Sequence, residues 1–530
     1  MTKNKSKIQN PKSKIVWIIF GFAVVFVYFF ALGSIPLLGP DESRYAQVAR
    51  EMFERNDFVT PTLGGFNWFE KPALLYWLQI VSYGIFGVSE FAARFGSAIF
   101  GLLTVFSLWI LGKSLATEFS EKHREAGNGQ TPSVSSVNSV ANDFSNWLFL
   151  ISASSIGLLA FSRGASFDII LTFPITAALV SFFIFDQSTK KTFTFYHLPL
   201  ILFYFFIGAA LLAKGLVGIV FPYAIVAFYY VLQRKLPSKT FVLSLFWGTI
   251  LSLAVAAFWY VPMYLENGWT FIDEFFIQHH FARYTSNKYQ HPQPFWFFLI
   301  VLPLMTLPWL PFFLASIWSV FKVQGSRFKV QSQGKSVETT TSYSPLTTFA
   351  FAWLLVPLVF FSFSGSKLPG YILPALPAAL VLTAEFISRF VENNRRRKIA
   401  LQIVAALTFA CVVATLQFYV NDYARSETVK SLIETADAQG FQSEKILSFN
   451  TISHNAEFYG AGRLGRTADG RQRRFFSVVE ITEELKRQNK SNALVLSPLE
   501  YLNQITENTS VEAKVLGDNS ELAIVLVKIR

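Results

Sequence analysis

Residues 15–35 read IVWIIFGFAVVFVYFFALGSI, a run without Asp, Glu, Lys or Arg. A helix needs about 20 predominantly apolar residues to cross a hydrocarbon core, and this run suffices. Lys3, Lys5, Lys7, Lys12 and Lys14 precede it, and GPDESRYAQVAREM (39–52) follows. A secretory signal ends in a small-residue cleavage site. None follows here, so the run is expected to stay as the first span. Comparable runs recur near 91–112, 146–162, 167–185, 196–213, 215–232, 240–262, 295–319, 346–364, 370–388 and 399–420. That makes about eleven spans by the length criterion.

Composition agrees: 52% of the chain is hydrophobic and 15% charged, against about 25% charged in soluble domains. The 58 Phe and 12 Trp suit lipid and its interface. The net charge of +12 follows topology. Basic clusters at Lys190/Lys191, Arg234/Lys235/Lys239, Lys322/Arg327/Lys329/Lys335 and Arg395–Lys398 all fall on the side of the N-terminus, which the positive-inside bias makes cytoplasmic. No nucleic-acid partner is implied. An odd span count puts the C-terminal domain outside, with the loops 36–90 and 263–294. Cys411 is the single cysteine and lies in a span, which rules out an intrachain disulfide or a Cys-based zinc site.

The expected organisation is a cytoplasmic tail (1–14), an all-α polytopic membrane domain (15–420) and a small soluble α/β domain (421–530). Polar stretches 114–145 and 323–345 read as flexible cytoplasmic loops. No repeat and no pair of interrupted helices in matching halves is visible. In the last domain, Lys445–Ile452, Ala493–Ser497, Val511–Leu516 and Glu521–Ile529 read as strands, and Ser426–Ala438 and Val478–Gln488 as helices. Arg463, Arg466, Arg471, Arg473 and Arg474 read as a solvated basic loop.

In the first outer loop Tyr45, Val48, Ala49, Met52 and Phe53 share one helical face, with Glu42, Arg50, Glu51 and Glu54 on the remainder. This predicts an amphipathic helix at the membrane surface. Asp41 at its mouth is an N-cap or a catalytic carboxylate. Glu70 and Lys71 form an interfacial ion pair or part of a site.

Here a resemblance becomes specific. GPDESRYAQVAREM and NDFVTPTLGGFNWFEKPALLYW (56–77) resemble the first outer loop of the GT-C glycosyltransferases. Within them the likeness is closest to the aminoarabinose transferases of lipid A, and more distant to protein O-mannosyltransferases. SRGASFDIILTF (162–173), LAKGLVGIVFP (212–222), QHHFARY (278–284), LPWLPF (307–312) and GSKLPGYILP (365–374) agree in order. The likeness runs over roughly 15–385 and fades beyond. It implies a polyprenyl-phosphate sugar donor, an acceptor that is a lipid, a glycan or a protein, and Asp41 as the catalytic residue. Trp68 and Phe69 stand where the family often has Tyr before Glu-Lys-Pro.

Such a reaction needs cations for the leaving phosphate and a carboxylate for the attacking group. Arg44, Lys71, Arg283 and Lys367 are the candidate cations. Tyr45 and Tyr371 join them as substrate-binding residues. Attack opposite the phosphate inverts the anomeric centre. Arg163 is expected to pair structurally with Asp168, and Lys214 to serve a structural pair as well. Glu70 with His280 is a candidate site for a divalent metal, zinc or magnesium or manganese. His279 and His291 read as interfacial polar groups. The rival classes are a transporter, which predicts mid-span ionisable residues and repeat symmetry, and a non-catalytic envelope assembly protein.

Overall fold

The computed structural model describes residues 11–125, 134–188, 197–282, 292–325, 329–332, 335–338, 344–392, 394–420, 423–424 and 428–530. The stretches expected to cross the membrane are largely helical where they are described. In chain order the helices are α1 (Pro11–Phe29), α2 (Gly39–Arg55), α3 (Leu74–Phe86), α4 (Glu90–Glu125), α5 (Val134–Ala153), α6 (Ile156–Ser162), α7 (Phe167–Gln187) and α8 (Leu198–Lys214). There follow α9 (Val217–Gln233), α10 (Lys239–Ile272), α11 (Phe297–Met305), α12 (Leu310–Gly325), α13 (Pro345–Ser362), α14 (Leu376–Phe390) and α15 (Arg395–Thr415). Among the described residues six helices are long and apolar enough to cross a membrane, or eight if two bent pairs each form one span.

Position in the bundle follows from what each helix exposes. α7 is central, and its Thr172 and Thr176 hydroxyls donate to carbonyls one turn back, so no buried donor is stranded. α10 is peripheral and shows Phe246, Phe258 and Leu265 to its surroundings, a stripe that suits hydrocarbon rather than water. It continues into a π-helical segment, Asp273–Ala282.

Two expected spans are interrupted, which corrects the continuous reading of 146–162 and 295–319. The first bends by 54° between Ala153 and Ile156, the second by 119° between Met305 and Leu310. The breaks satisfy each other. Ile156 N–H donates to Leu307 O at 2.9 Å, Ser155 Oγ to Met305 O at 3.1 Å, and Trp309 Nε1 to Ser154 Oγ at 3.0 Å. Irregular backbone survives in a membrane protein only where protein supplies such partners. The expected flexible loops are also shorter than read: α4 runs on to Glu125, and β3 (Lys329–Ser332) pairs antiparallel with β4 (Lys335–Glu338).

The C-terminal region contains α16 (Lys430–Ala438), β5 (Ile446–Phe449), α17 (Ala456–Tyr459), β6 (Arg474–Phe475), α18 (Val478–Arg487), β7 (Asn492–Pro498), α19 (Leu502–Thr506), β8 (Val511–Asp518) and β9 (Leu522–Ile529). Strand order is β6-β5-β7-β9-β8, parallel over the first three and antiparallel thereafter. Leu447 opposes Val495, which opposes Val525. Alternate residues face opposite sides of a sheet, so Val495 packs with α18 while Leu494 and Leu496 pack with α16. The predicted basic loop is not solvated as a whole. Arg463 pairs with Asp437, Arg466 with buried Glu457, and Arg473 with Glu484. Arg471, at 86%, and Arg474 are exposed.

Candidate active site

The site is built on the first turn of α2. Gly39 has φ +67°, a left-handed conformation that glycine adopts without strain. Pro40 then starts the helix. Asp41 does not cap it. Leu38 holds the cap position, and its N–H donates to Glu42 Oε2 at 2.9 Å. Asp41 instead pairs through Oδ1 with Arg44 Nη2 at 2.6 Å, and its side chain is 50% exposed. α2 is also no surface rider, since Tyr45, Val48, Ala49 and Met52 are buried within the protein.

Residues 62–71 reach α2 through a two-residue hairpin, β1 (Thr62–Leu63) and β2 (Phe66–Asn67). Glu51 of α2 accepts from the Gly64 and Gly65 amides at 2.6 and 3.1 Å and from Thr62 Oγ1 at 2.8 Å. That tie sets the strand end carrying Trp68, Glu70 and Lys71. Lys71 Nζ lies 3.0 Å from Glu70 Oε1, and the Arg44 guanidinium sits 5.7 Å from the Trp68 ring centroid. Burial works against the Arg44 charge, but Glu70 and Asp41 outweigh it and raise its pKa further. Burial, then the same two carboxylates, push the Tyr45 hydroxyl far up, so it stays protonated.

Two cavities border this cluster. The smaller, of about 300 Å³, is lined by Asp41, Tyr45, Lys71, Asp168, Lys214 and Tyr371 among others. The N-terminal turns of α2 and α7 border it through Leu38–Glu42 and Ser166–Asp168. Helix N-termini carry partial positive charge, and here they stand with Lys71 and Lys214 beside the Asp41 and Asp168 carboxylates. The larger cavity, of about 650 Å³, lies between the segment carrying β1 and β2, the π-helical segment and the C-terminal region. Arg44, Trp68, Glu70 and the π-helical Glu274 line one side, and His454 and Gln472 another. The Trp68 indole N–H is buried and has no hydrogen-bond partner among the described residues.

Other expected residues fall elsewhere. Lys367 is 7% exposed, and its Nζ donates to the carbonyls of Ser364 at 2.6 Å and Gln293 at 3.1 Å. It braces a loop and lines neither cavity. Arg163 does not pair with Asp168. It donates to the Val27 carbonyl at 2.7 Å, closing the end of α1, while Lys214 takes Asp168. Lys214 Nζ is also 4.8 Å from the Tyr371 ring centroid, so this structural pair stands inside the smaller cavity. Arg283 and His291 lie outside the described residues, as does the side chain of His280. Among the described residues no three His, Cys, Asp or Glu groups converge as a metal site.

Sequence reasoning missed one pair. Glu42 and Arg94 are buried side by side, with Arg94 Nε 2.6 Å from Glu42 Oε1 and Nη2 2.8 Å from Oε2. Arg94 also donates to the carbonyls of Leu32, Ile35 and Pro36, and Glu42 accepts from the Ala165 amide at 2.9 Å. Burial opposes the Glu42 charge, yet Arg94 and these hydrogen bonds hold its pKa below the ordinary carboxylate value. A lone arginine in an apolar helix was the available signal, because such a charge needs a partner.

The family of dolichyl-phosphate-mannose-protein mannosyltransferases matches residues 16–118, which include the α2 turn and Glu70–Lys71. An undecaprenyl phosphate-alpha-4-amino-4-deoxy-L-arabinose arabinosyl transferase of Shewanella sediminis is 30% identical over 417 residues, covering 77% of this chain and 66% of that protein. The chain is similar in sequence to the aminoarabinose transferases. A transferase with the same name as the Shewanella protein, from Aeromonas salmonicida, is 30% identical over 393 residues, 72% of this chain and 61% of its own length. This chain thus spans less than two thirds of those relatives. A crystal structure of ArnT from Cupriavidus metallidurans bound to undecaprenyl phosphate superposes with a TM-score of 0.74 at 20% identity, covering 96% of this chain and 98% of that one. The GT-C fold therefore extends into the C-terminal region, where the sequence resemblance fades.

Proposed function

We propose that this chain moves a sugar from a polyprenyl-phosphate donor to a lipid, glycan or protein acceptor at the outer face of its membrane, inverting the anomeric carbon. The observation that carries this reading is the position of Asp41. It borders a small cavity that holds Lys71, Lys214 and two helix N-termini, and its partner Arg44 borders a second, larger one. The donor phosphate fits the first, where fixed positive charge stabilises it as it leaves. The acceptor enters from the second. Its oxygen bonds to C1 on the face opposite the phosphate while the C1–O bond to phosphate breaks, and its proton passes to the Asp41 carboxylate. Arg44, held by Asp41 on one side and Trp68 on another, keeps that carboxylate oriented.

The relatives' 4-amino-4-deoxy-L-arabinose makes a pentosyl donor the first to test. Purified full-length chain in proteoliposomes should release polyprenyl phosphate and load an acceptor from envelope extract. Failure to consume any of a panel of pentosyl and hexosyl polyprenyl phosphates would sink the proposal. A divalent metal held by Glu70 and His280 is a separate proposal. Turnover that falls with a chelator and returns with zinc would support it, and chelator-insensitive turnover would overturn it.

The reading includes eleven crossings by about 20-residue spans, a cytoplasmic N-terminus and an outer domain at 421–530. In a Cys411→Ser background, cysteines at Asn67 and Asn503 should react with an impermeant thiol reagent from outside, and one at Ser332 should not. Labelling of Asn67 and Ser332 from the same side would overturn this topology.

A further inference from the structure

The chain just before Asp41 has no regular structure of its own, so its conformation depends on what grips it. Arg94 holds the carbonyls of Ile35 and Pro36 at 2.6 and 2.8 Å, and Glu42 holds the Leu38 amide. The amide between them, Leu37 N–H, donates to the Tyr459 hydroxyl at 2.8 Å. Tyr459 is the last residue of α17, more than four hundred positions away. Its hydroxyl in turn donates to Glu90 Oε1 at 3.1 Å, at the first residue of α4. Lys430 Nζ reaches the same carboxylate oxygen at 2.6 Å and lies 5.9 Å from the Tyr459 ring centroid.

Each partner in this bridge has a reason to stay. Glu90 is 8% exposed and needs cations and donors to remain charged there, and Lys430 and Tyr459 supply both. The Leu37 amide needs an acceptor, because an unpaired backbone donor away from water is costly. A phenylalanine would fill the same packing space without serving either need. The hydroxyl is therefore a specific link, from the C-terminal region to a backbone amide four residues ahead of the proposed base.

We infer that Tyr459 is a positioning residue: its hydroxyl, bridging Glu90 and the Leu37 amide, fixes the turn that presents Asp41 and couples that turn to the seating of the C-terminal region. The coupling to catalysis rests on the function proposed above. The bridge itself does not.

The test uses the full chain carrying Tyr459→Phe. Hydrogen exchange read by mass spectrometry should speed up in peptides covering 32–45, while β7 keeps its protection. The transfer rate should fall about tenfold, since small misplacements of reacting groups are costly in rate. The share of donor lost to water rather than passed to the acceptor should rise, a ratio that does not depend on how much of the sample is active. Thermal melting should fall only slightly, because the Leu37 amide loses its acceptor while the packing is kept. Glu90→Gln should act in the same direction, and the double variant should be no worse than the worse single one, as expected for two residues in one link. If Tyr459→Phe does not accumulate as folded protein, the same readings on Glu90→Gln decide. Unchanged exchange over 32–45 overturns the bridge. Faster exchange there with parental rate and partition overturns the positioning role, as do effects that multiply in the double variant. The exchange arm needs no substrate, so a parent chain that transfers nothing counts against the proposed function alone.

Discussion

Two neighbouring carboxylates on one helical turn meet opposite fates. Glu42 is closed in: Arg94 engages both its oxygens, two backbone amides complete its shell, and its side chain is 9% exposed. Asp41 is open: one arginine touches one oxygen, and half of the side chain faces a cavity. Successive helical residues point about 100° apart, so one step along the chain turns a scaffold group into an accessible one. A saturated pair has no capacity left for a substrate, whereas a partly paired carboxylate at a cavity can exchange a proton with one. Charge and motif are shared by both residues. Saturation separates them.

The comparison breaks most readily at Glu42. Glu42→Gln leaves Arg94 buried without its counter-charge, and loss of one partner of a buried pair costs about 3–5 kcal/mol. A large fall in detergent melting temperature is expected, with much of the protein lost from the membrane. The folded carboxylate has the lower pKa, so its stabilisation is complete above about pH 4.3, the unfolded value, and fades as the pH falls through the folded one. The variant should lack that acid-side loss. Parental melting would show that the closed pair is dispensable.

Next in size is Asp41→Asn. An exposed pair contributes about 0–1 kcal/mol, so melting should hardly move. Turnover should drop by about 10²-fold or more, because an amide cannot take the acceptor's proton. Near-parental transfer would return the search for the catalytic carboxylate to Glu70. Arg44→Ala should weaken donor or acceptor binding by about 1–3 kcal/mol, the range for a lost hydrogen bond to a charged group. Isothermal titration with each substrate assigns it to one cavity, and no change with either removes it from the site. The smallest effect belongs to Arg471→Ala, on the rim of the larger cavity and nearly fully exposed. A change within about 0.5 kcal/mol in stability is expected, with unaltered turnover, and a tenfold loss would extend the open region to that rim.

The helices were legible in the sequence because each apolar run is long and continuous. Their interruptions were not, since Ser154, Ser155 and Trp309 look like ordinary small or apolar residues until the two breaks are seen to feed each other's backbone. In the site, Asp41, Arg44, Glu70 and Lys71 were readable as a motif, and the structure gathers them around two cavities. Lys367 was readable in the same way and turns out to hold loop carbonyls. A motif fixes residue types in order, but the direction of a lysine depends on which acceptors fold beside it. Glu42 reads in the sequence only as part of a polar helix face, because its partner lies 52 positions on in another helix. The basic cluster at 463–474 misled for the same reason: its acidic partners Asp437, Glu457 and Glu484 are spread over three helices.

The exposed stripe on α10 has a last consequence. Phe246, Phe258 and Leu265 lead along the helix to a kink at Gly268 and Trp269 just past it, and the π-helical residues beyond, Glu274, Gln278 and His279, wall the larger cavity. A molecule with a long hydrocarbon tail can follow that edge without leaving the oil, avoiding an extraction cost of about 0.8 kcal/mol for each methylene drawn into water. Its search is then confined to a plane instead of a volume, and only the headgroup has to turn inward.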